Sequence, residues 1–233
     1  MAKKNFVMKM FDDIAPTYDK LNHILSLNID KSWRRKAVNR INSTHPHNML
    51  DIACGTGDFS IALAHAGVSK VTGVDISEGM LEVGREKVKE LGLNITMEVD
   101  DSENLRYDDN TFDAVSVAFG VRNFEHLQLG LNEMNRVLRP GALACIVELS
   151  VPSNPILRWG YKLYFLHVLP TIGGMISGNK EAYRYLPISV LQFAKPQNVC
   201  EMMRKAGFEQ VEVKAFTLGL CRMFTGIKKK QVS

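Results

Sequence analysis

The sequence predicts an α/β protein built on one mostly parallel β-sheet. Short apolar runs that are typical of buried strands alternate with helical segments of about 10–15 residues, and this alternation requires crossover connections. Hydrophobic residues make up 45% of the 233 residues and charged residues 23%, so the chain can bury a full core. The last two apolar runs are separated only by a short turn with a glycine, which favours an antiparallel hairpin at the end of the sheet.

Seven apolar runs are predicted strands, at residues 48–53, 71–74, 95–99, 112–119, 142–149, 210–217 and 220–227. Predicted helices occupy residues 57–66, 78–91, 125–138 and 196–206, and they follow a helical N-terminal segment at residues 1–45. Ser77, followed by Glu78, is a predicted helix N-cap. Gly92, the Pro140–Gly141 pair and Gly207 are the predicted helix ends.

Residues 151–195 break the alternation of strands and helices. This stretch is rich in proline and aromatic residues, and Gly173 and Gly174 are candidate hinges within it. We therefore expect a mobile, lid-like insertion. Residues 1–233 are expected to form a single domain, with the helical N-terminal segment and the insertion as parts of it.

Charge and cysteine content exclude several classes of protein. The formal net charge is +4, and six lysines near the two termini account for the excess. Without a basic middle a nucleic-acid groove gets little support, and the terminal lysines favour a tail near anionic lipid or plain solubility. The four cysteines are scattered, so neither a disulfide scaffold nor a metal site is expected.

The sequence shows no export signal. Its longest uncharged run, residues 163–179, is shorter than the roughly 20 residues that span a bilayer. We therefore expect a cytoplasmic protein, with peripheral contact at the inner face of the membrane left open.

The loop after the first predicted strand has the composition of a ligand loop. Asp51 lies near the end of the strand, and Gly55, Thr56 and Gly57 lead into the next helix. Glycines let a backbone approach a ligand closely, and a helix N-terminus presents free N–H groups. The alternative interpretation is a tight strand–helix turn with no ligand.

Acidic residues recur at the ends of the first three strands. Asp75 ends the second strand, where a carboxylate can accept both hydroxyls of a ribose, and Asp100 and Asp101 follow the third. A dinucleotide loop would carry a third glycine where Ser60 stands. Several carboxylates suit a pyrophosphate badly and a sulfonium and an ammonium group well. The pattern predicts S-adenosylmethionine as the ligand.

Two features of the sequence predict the kind of methyl acceptor: the absence of certain methyltransferase motifs and the composition of the insertion. Residues 118–123 lack the Asn/Asp-Pro-Pro-Tyr motif that is typical of base or amide methylation, and no cysteine stands beside a proline as in carbon methylation of pyrimidines. The insertion is apolar and aromatic, with Trp159, Tyr161 and Tyr164 among its residues. Such a lid favours a flat, apolar small molecule over RNA.

Several motifs together resemble the menaquinone/ubiquinone biosynthesis C-methyltransferases. They lie at residues 11–19, 33–34, 51–58, 119–123, 139–141 and 183–186. The resemblance covers nearly the whole chain and implies the seven-stranded class I methyltransferase fold, which is Rossmann-like. It also implies S-adenosylmethionine as the methyl donor and a ring carbon of a polyprenylated quinol, demethylmenaquinol, as the acceptor.

The candidate cofactor-binding residues are Asp51, Gly55, Thr56, Gly57, Asp75, Asp101 and Ser102, of which the resemblance implies Thr56, Asp75, Asp101 and Ser102. Arg122 is a candidate catalytic residue that stabilises a phenolate or holds a water molecule, and Asn123 would orient a ring oxygen. Tyr18 and Tyr185 are candidate substrate residues. For Arg122 the alternative is a surface arginine, and for Tyr18 it is a core tyrosine.

Three other functions stay open at this point. The acceptor can be a ubiquinone precursor, or it can be another lipid-like molecule such as a sterol or a fatty-acyl chain. The third alternative is a binding module with a decayed cofactor site, although an intact glycine loop and Asp75 argue against decay. Neither the prenyl tail length nor the oligomeric state follows from the sequence.

Overall fold

In the computed structural model of the chain, which describes residues 2–168 and 180–230, seven strands form one sheet. The strands are β1 (Asn48–Ile52), β2 (Lys70–Asp75), β3 (Ile95–Val99), β4 (Phe112–Ala118), β5 (Leu138–Leu149), β6 (Phe208–Phe216) and β7 (Cys221–Lys228). Their order is β3-β2-β1-β4-β5-β7-β6. The first five pair in parallel, and β7 pairs antiparallel with both β5 and β6. The predicted fold class and its terminal antiparallel hairpin are confirmed.

Helices cover both faces of the sheet and its carboxyl edge. They are α1 (Ala2–Ile14), α2 (Tyr18–Leu25), α3 (Ile29–Asn42), α4 (Asp58–His65), α5 (Glu78–Leu91), α6 (Leu127–Val137), α7 (Pro155–Leu163), α8 (Lys180–Gln192) and α9 (Pro196–Lys205). Among the described residues, none of these helices combines the length and apolarity that a membrane span needs.

The two faces of the central strands bury different helices. Met49 of β1 faces α3 and α4, where Trp33 and Leu63 pack, while the next residue, Leu50, faces the cluster that contains Met134 of α6. Because successive side chains of a strand point to opposite faces, both faces must be apolar. This explains why the central strands appear in the sequence as continuous apolar runs.

The predicted helix ends are mostly confirmed. The Ser77 hydroxyl accepts a hydrogen bond from the Met80 N–H at 3.2 Å, and Gly92 closes α5 with φ of +62°. The predicted end of α6 was wrong, because Leu138 is already strand and pairs with Phe112. The register shifts before the next pairs, so the Pro140–Gly141 segment lies in a bulged start of β5 instead of a loop.

The N-terminal helices and the insertion pack together at the carboxyl edge of the sheet. Met10 and Leu21 of the N-terminal helices join Tyr161, Phe165 and Val190 of the insertion in one buried apolar cluster. The described parts of the insertion are mostly helical, and Gly173 and Gly174 lie outside the described residues. The expected mobility of the insertion and the division of the single domain stay predictions.

Several of the terminal lysines bind other parts of the chain. The ammonium of Lys3 donates to the backbone oxygens of Arg122 and Phe124, at 3.2 and 2.7 Å. Lys4 forms an ion pair with Asp101, and Lys228 donates to Asn110 at 2.8 Å. These contacts give several terminal lysines a structural role, and a tail near anionic lipid stays a prediction.

Candidate active site

The loop after β1 is held by the carboxylate at the end of β2. The N–H groups of Gly55 and Ser77 donate to the two oxygens of Asp75, at 2.8 and 3.0 Å. Burial raises the pKa of Asp75. Gly55 has φ of +55°, and a Cβ placed on it would meet no atom within 4 Å. The space above the loop is therefore open to a ligand that approaches the backbone closely.

A cleft opens at the carboxyl ends of β1, β2 and β3. It encloses about 710 Å³ of space between protein atoms, part of it open to solvent. Its walls include Gly55, Asp75, Asp101 and Ser102 from the sheet edge and Phe11 from the N-terminal helices. The carboxylates and the open glycine backbone fit S-adenosylmethionine, which carries two cations and a ribose.

Three predicted cofactor residues do not line this cleft. Asp51 has no exposed surface, and both its oxygens accept hydrogen bonds, from the hydroxyls of Ser60 and Ser116 at 2.7 Å each. Thr56 is 2% exposed, and Gly57 caps the N-terminus of α4 with φ of +81°. These residues stabilise the loop through buried contacts and a helix cap, and their contact with a cofactor stays a prediction.

A charged network fastens α2 to the glycine loop. The ammonium of Lys87 on α5 donates to Asp19 of α2 at 2.7 Å and to Asp58 of α4 at 2.5 Å. Thr56 donates to the same Asp19 through its hydroxyl. Burial lowers the pKa of Lys87, but the hydrogen bonds to the two carboxylates raise it above its ordinary value. The N-terminal helices thus close one side of the cleft.

Arg122 lies in a short 3-10 turn directly after β4, and it is buried rather than a surface arginine. Its Nη1 donates to Glu148 of β5 at 2.8 Å, and its backbone N–H donates to the same carboxylate at 3.2 Å. The side chain of Glu148 is 0% exposed and that of Arg122 6%. Nε donates to Ser189 of α8 at 3.3 Å, whereas Nη2 has no hydrogen-bond partner among the described residues.

Asn123 follows Arg122 and faces the cofactor cleft. Its Oδ1 accepts a hydrogen bond from the hydroxyl of Tyr185 on α8 at 3.1 Å. Lys3 binds the carbonyls on either side, so α1 and α8 both hold this turn. The structure therefore brings together three sequence-predicted site residues, Arg122, Asn123 and Tyr185.

A second cavity lies beside the cofactor cleft. It encloses about 1090 Å³, part of it open to solvent, and its walls are largely apolar and aromatic, with Trp33, Tyr161 and Leu220 among them. Tyr18 and Phe119 line both this cavity and the cleft. The two spaces therefore meet at these two side chains, and Arg122 lines the second cavity.

Backbone strain marks the junction of the two spaces. Phe119 has φ of +63°, in the left-handed region that non-glycine residues rarely adopt, and the guanidinium of Arg34 lies 5.3 Å from its ring centroid. A Cβ on the next residue, Gly120, would lie 2.5 Å from the Cβ of Ala53. Such strain is held only where the surroundings enforce it, and it clusters at functional sites.

Several of these residues could not be found in the sequence. Asp19 belongs to the motif at residues 11–19, but no local pattern shows that it meets Lys87, which is far away in the chain. Glu148 did carry a signal, because it is a lone charge inside the apolar run of β5. A charge in such a run requires a buried partner, and that requirement could have pointed to Arg122.

The buried Asp51 generates a pH prediction. Burial raises its pKa from 3.8 to about 6, so the folded chain binds more protons than the unfolded chain between these values. The free energy of unfolding should therefore fall, because of this group, as pH rises from about 4 to about 6. Asp51→Asn removes this titration. The free energy of unfolding of the variant, relative to that of the wild type, should therefore increase by about 2–3 kcal/mol between pH 4 and pH 7.

Urea unfolding at several pH values, followed by circular dichroism, measures this difference. The matched control is Asp108→Asn at an exposed position, which should follow the pH dependence of the wild type. A difference between Asp51→Asn and wild type that does not change with pH would contradict the raised pKa of Asp51.

Comparisons with known proteins agree with this geometry. A sequence profile of the ubiE/COQ5 methyltransferase family matches residues 1–228. A demethylmenaquinone methyltransferase of Bacteroides fragilis is 44% identical over 97% of this chain and 94% of its own length, and one of Staphylococcus carnosus is 41% identical over 100% and 97%. A ubiquinone/menaquinone biosynthesis C-methyltransferase of Geobacter sulfurreducens is 42% identical over 95% and 88%.

Solved structures share the fold. A possible histamine N-methyltransferase of Thermotoga maritima, described as S-adenosylmethionine-dependent, gives a TM-score of 0.69 at 19% identity, covering 95% of this chain and 99% of that one. A phosphoethanolamine N-methyltransferase of Haemonchus contortus, solved with S-adenosylmethionine, gives 0.59 at 18% identity, covering 79% and 49%. The fold, the acid-lined cleft and the full-length sequence match lead to one conclusion: the chain belongs to the ubiE/COQ5 methyltransferase family.

Proposed function

We propose that this chain transfers a methyl group from S-adenosylmethionine to a ring carbon of demethylmenaquinol, a step of menaquinone biosynthesis. The observation that carries the proposal is the junction at Tyr18 and Phe119, where an acid-lined cleft meets an apolar aromatic cavity beside Arg122. The relatives at 41–44% identity are named for this activity. The related C-methylation of a ubiquinone precursor is the second candidate, because one relative carries both quinones in its name.

The cleft residues have separate roles in holding the methyl donor. S-adenosylmethionine, when bound, supplies an electrophilic methyl group on a sulfonium sulfur. Asp75 would accept the ribose hydroxyls, and Asp101 and Ser102 would contact the far side of the nucleoside. Gly55 would let the backbone approach. These assignments rest on the lining of the cleft by all four residues.

Arg122 is assigned to the acceptor. A quinol carbon becomes a nucleophile when a neighbouring hydroxyl loses its proton, because the negative charge spreads onto that carbon. The buried guanidinium stabilises this phenolate, and the site excludes much of the water that would screen the charge. Nη1 donates to Glu148 and to the Phe119 carbonyl, and Nε donates to Ser189, so Nη2 is left for the acceptor oxygen or for a water molecule that takes the proton. Asn123 lines the cofactor cleft, and its amide is assigned to orienting the ring oxygen.

The apolar cavity orients the acceptor and excludes water. Trp33 is 5% exposed, and its indole N–H is already satisfied by the hydroxyl of Thr217 at 2.8 Å. The remaining walls are largely aromatic or aliphatic, which suits a fused quinol ring and the start of a prenyl tail. Holding two reactants in line contributes on the order of 7–11 kcal/mol in well-oriented systems.

The function is tested by identifying the methylated product. The purified chain is mixed with S-adenosylmethionine labelled in its methyl group and with short-tailed demethylmenaquinone under anaerobic reduction. Mass spectrometry should find the label on a ring carbon of the naphthoquinone. A benzoquinol precursor and a sterol serve as competing acceptors. Label on the benzoquinol alone, or on none of the quinols, would contradict the proposal.

Two substitutions should separate catalysis from cofactor binding. Arg122→Ala should lower kcat by about 10²–10³ with little change in the affinity for S-adenosylmethionine, because its charge acts on a phenolate formed during the reaction. Arg122→Lys should recover part of the rate, since it keeps the charge and loses the planar fork. Asp75→Ala is the opposite control and should weaken cofactor binding by about five- to a hundred-fold.

Steady-state kinetics with the quinol and calorimetry with the cofactor measure the two effects, and circular dichroism checks the fold of each variant. An Arg122→Lys enzyme with the full kcat would indicate that Arg122 has only a structural role. An Asp75→Ala enzyme with unchanged cofactor affinity would remove Asp75 from the ribose site.

We further propose that the chain contacts the surface of an anionic lipid bilayer through α7. Ile156 and Trp159 on this helix are 79% and 71% exposed. Arg158 and Lys162 beside them are exposed cations, and the sequence has no acidic residue between positions 149 and 180. Apolar and aromatic side chains with neighbouring cations suit the interface of an anionic membrane.

The position of α7 supports this orientation. Tyr161 on the inner side of the same helix lines the acceptor cavity, and Leu27, which is 77% exposed, lines it from the N-terminal helices. A prenylated acceptor would then pass from the bilayer into the cavity with its tail still in lipid. The contact explains how an apolar substrate reaches a protein whose described helices do not cross the membrane.

Removing the exposed apolar groups of α7 should release the protein from lipid. The double substitution Ile156→Ser and Trp159→Ser should abolish flotation with vesicles that contain phosphatidylglycerol and leave turnover of a short-tailed acceptor unchanged. Leu91→Ser on α5, where Leu91 is 51% exposed, is the matched control and should float like the wild type. Equal flotation of the double variant and the control would contradict the α7 contact.

A further inference from the structure

The wall of the acceptor cavity contains a buried hydroxyl without a partner. Tyr161 is 8% exposed, and its hydroxyl makes no hydrogen bond to any described residue. Five buried side-chain polar atoms of the described residues lack a partner, and two of them, the Tyr161 hydroxyl and Nε of Arg34, belong to residues that line this one cavity. Buried polar atoms almost always have a partner. Both residues line the cavity, so a polar group bound there is a candidate partner for these atoms.

The Tyr161 ring packs against a neighbouring aromatic ring. Its centroid lies 4.1 Å from that of Phe165, at an interplanar angle of 31°, within the cluster that joins the insertion to the N-terminal helices. Burial raises the pKa of Tyr161, so its hydroxyl keeps its proton near neutral pH. Tyr161 therefore carries a protonated hydroxyl, which is a hydrogen-bond donor, in the wall of the cavity.

Two other tyrosines near the site either have a hydrogen-bond partner already or also line the cofactor cleft. The hydroxyl of Tyr185 donates to Asn123, and Tyr18 lines the cofactor cleft as well as the cavity. Tyr161 lines the cavity and not the cleft. Its position thus suits a part of the acceptor that lies away from the methyl donor.

A quinol ring carries two oxygens in para positions. One lies next to the reacting carbon and becomes the phenolate, and Arg122, which lines the cavity together with Phe119, is placed for it. The other oxygen stays away from the donor and requires a separate neutral partner in a largely apolar wall. On the basis of the proposed quinol methylation, we propose that the Tyr161 hydroxyl binds this second ring oxygen and is a specificity-determining residue for the acceptor.

This contact would select against acceptors with an apolar ring in that position. A site built to hydrogen-bond a substrate oxygen rejects analogues that lack it, because the buried group is then left unpaired. A sterol or a singly hydroxylated ring leaves Tyr161 without a partner, whereas a quinol satisfies it.

Tyr161→Phe tests the assignment with little risk to folding, because it removes a hydroxyl that has no partner among the described residues. The melting temperature should stay equal to that of the wild type or rise. The KM for reduced short-tailed demethylmenaquinone should rise about five- to twentyfold, the range expected for one lost hydrogen bond from a buried donor. The affinity for S-adenosylmethionine should stay within about twofold, as the two ligands occupy separate spaces.

Tyr107→Phe is the matched control. Its hydroxyl donates to Glu98 at 3.0 Å, and Tyr107 lines neither the cleft nor the cavity. This variant should lose some stability and keep the wild-type KM for the acceptor, the reverse of the pattern expected for Tyr161→Phe.

A second acceptor separates the hydrogen bond from packing. A short-tailed prenylated 1-naphthol has the oxygen next to the reacting carbon and lacks the para oxygen. Its dissociation constant, measured by calorimetry, should be the same for the wild type and for Tyr161→Phe, whereas binding of the naphthoquinol should weaken in the variant. Equal naphthoquinol affinity in the two proteins, or equal weakening with both ligands, would overturn the assignment.

The function and the Tyr161 contact can fail separately in this design. Methylation of the naphthoquinol by the wild-type protein tests the function in the same assay. A wild type that methylates the quinol, with a Tyr161→Phe variant of unchanged KM, overturns the Tyr161 contact alone. A wild type without turnover overturns the proposed function, and the binding measurements then decide on the contact.

Discussion

The active-site architecture depends on the buried ion pair between Glu148 of β5 and Arg122 after β4. A carboxylate with no exposed surface requires a cation, and losing one partner of such a pair typically costs about 3–5 kcal/mol. The pair therefore fixes the 3-10 turn against the sheet. Lys3 from α1 and Ser189 from α8 bind the same turn, so the N-terminal helices and the insertion converge on it. Two segments far apart in the chain thereby meet at one turn.

This convergence creates two adjoining spaces of opposite character. On the cleft side, Asp75 lies at the carboxyl edge of the sheet, where parallel strands end together and where ligands of α/β proteins bind. On the cavity side, the apolar walls come from the N-terminal helices and the insertion, and these segments also form a cluster around Leu21 and Tyr161. Phe119, in its strained conformation, lies at the boundary and lines both spaces. A cationic donor and an apolar acceptor can thus meet at one point.

The sequence predicted most of the sheet and the parts of the site that depend on local signals. Ser77 and Gly92 bound α5 through capping chemistry, which acts over a few residues. The cleft around Asp75 was also predicted, because the end of a strand can be recognised from nearby residues and parallel strands end at the same edge of a sheet. The start of β5 at Leu138 did not follow, since pairing with Phe112 overrides the turn signal of a proline and a glycine. The unpartnered hydroxyl of Tyr161 is a property of three-dimensional packing and leaves no sequence signal.

Glu148→Gln tests the central claim most directly, because it keeps the shape of the side chain and removes the charge that positions Arg122. The account predicts that kcat for the naphthoquinol falls by about 10–100-fold while cofactor affinity stays within about threefold, a pattern that loss of folding would not produce. Combined with Arg122→Lys, it should cost little more than the larger single loss, because both act through one pair. A wild-type kcat in Glu148→Gln, or fully additive losses, would contradict the claim that this ion pair organises the active site.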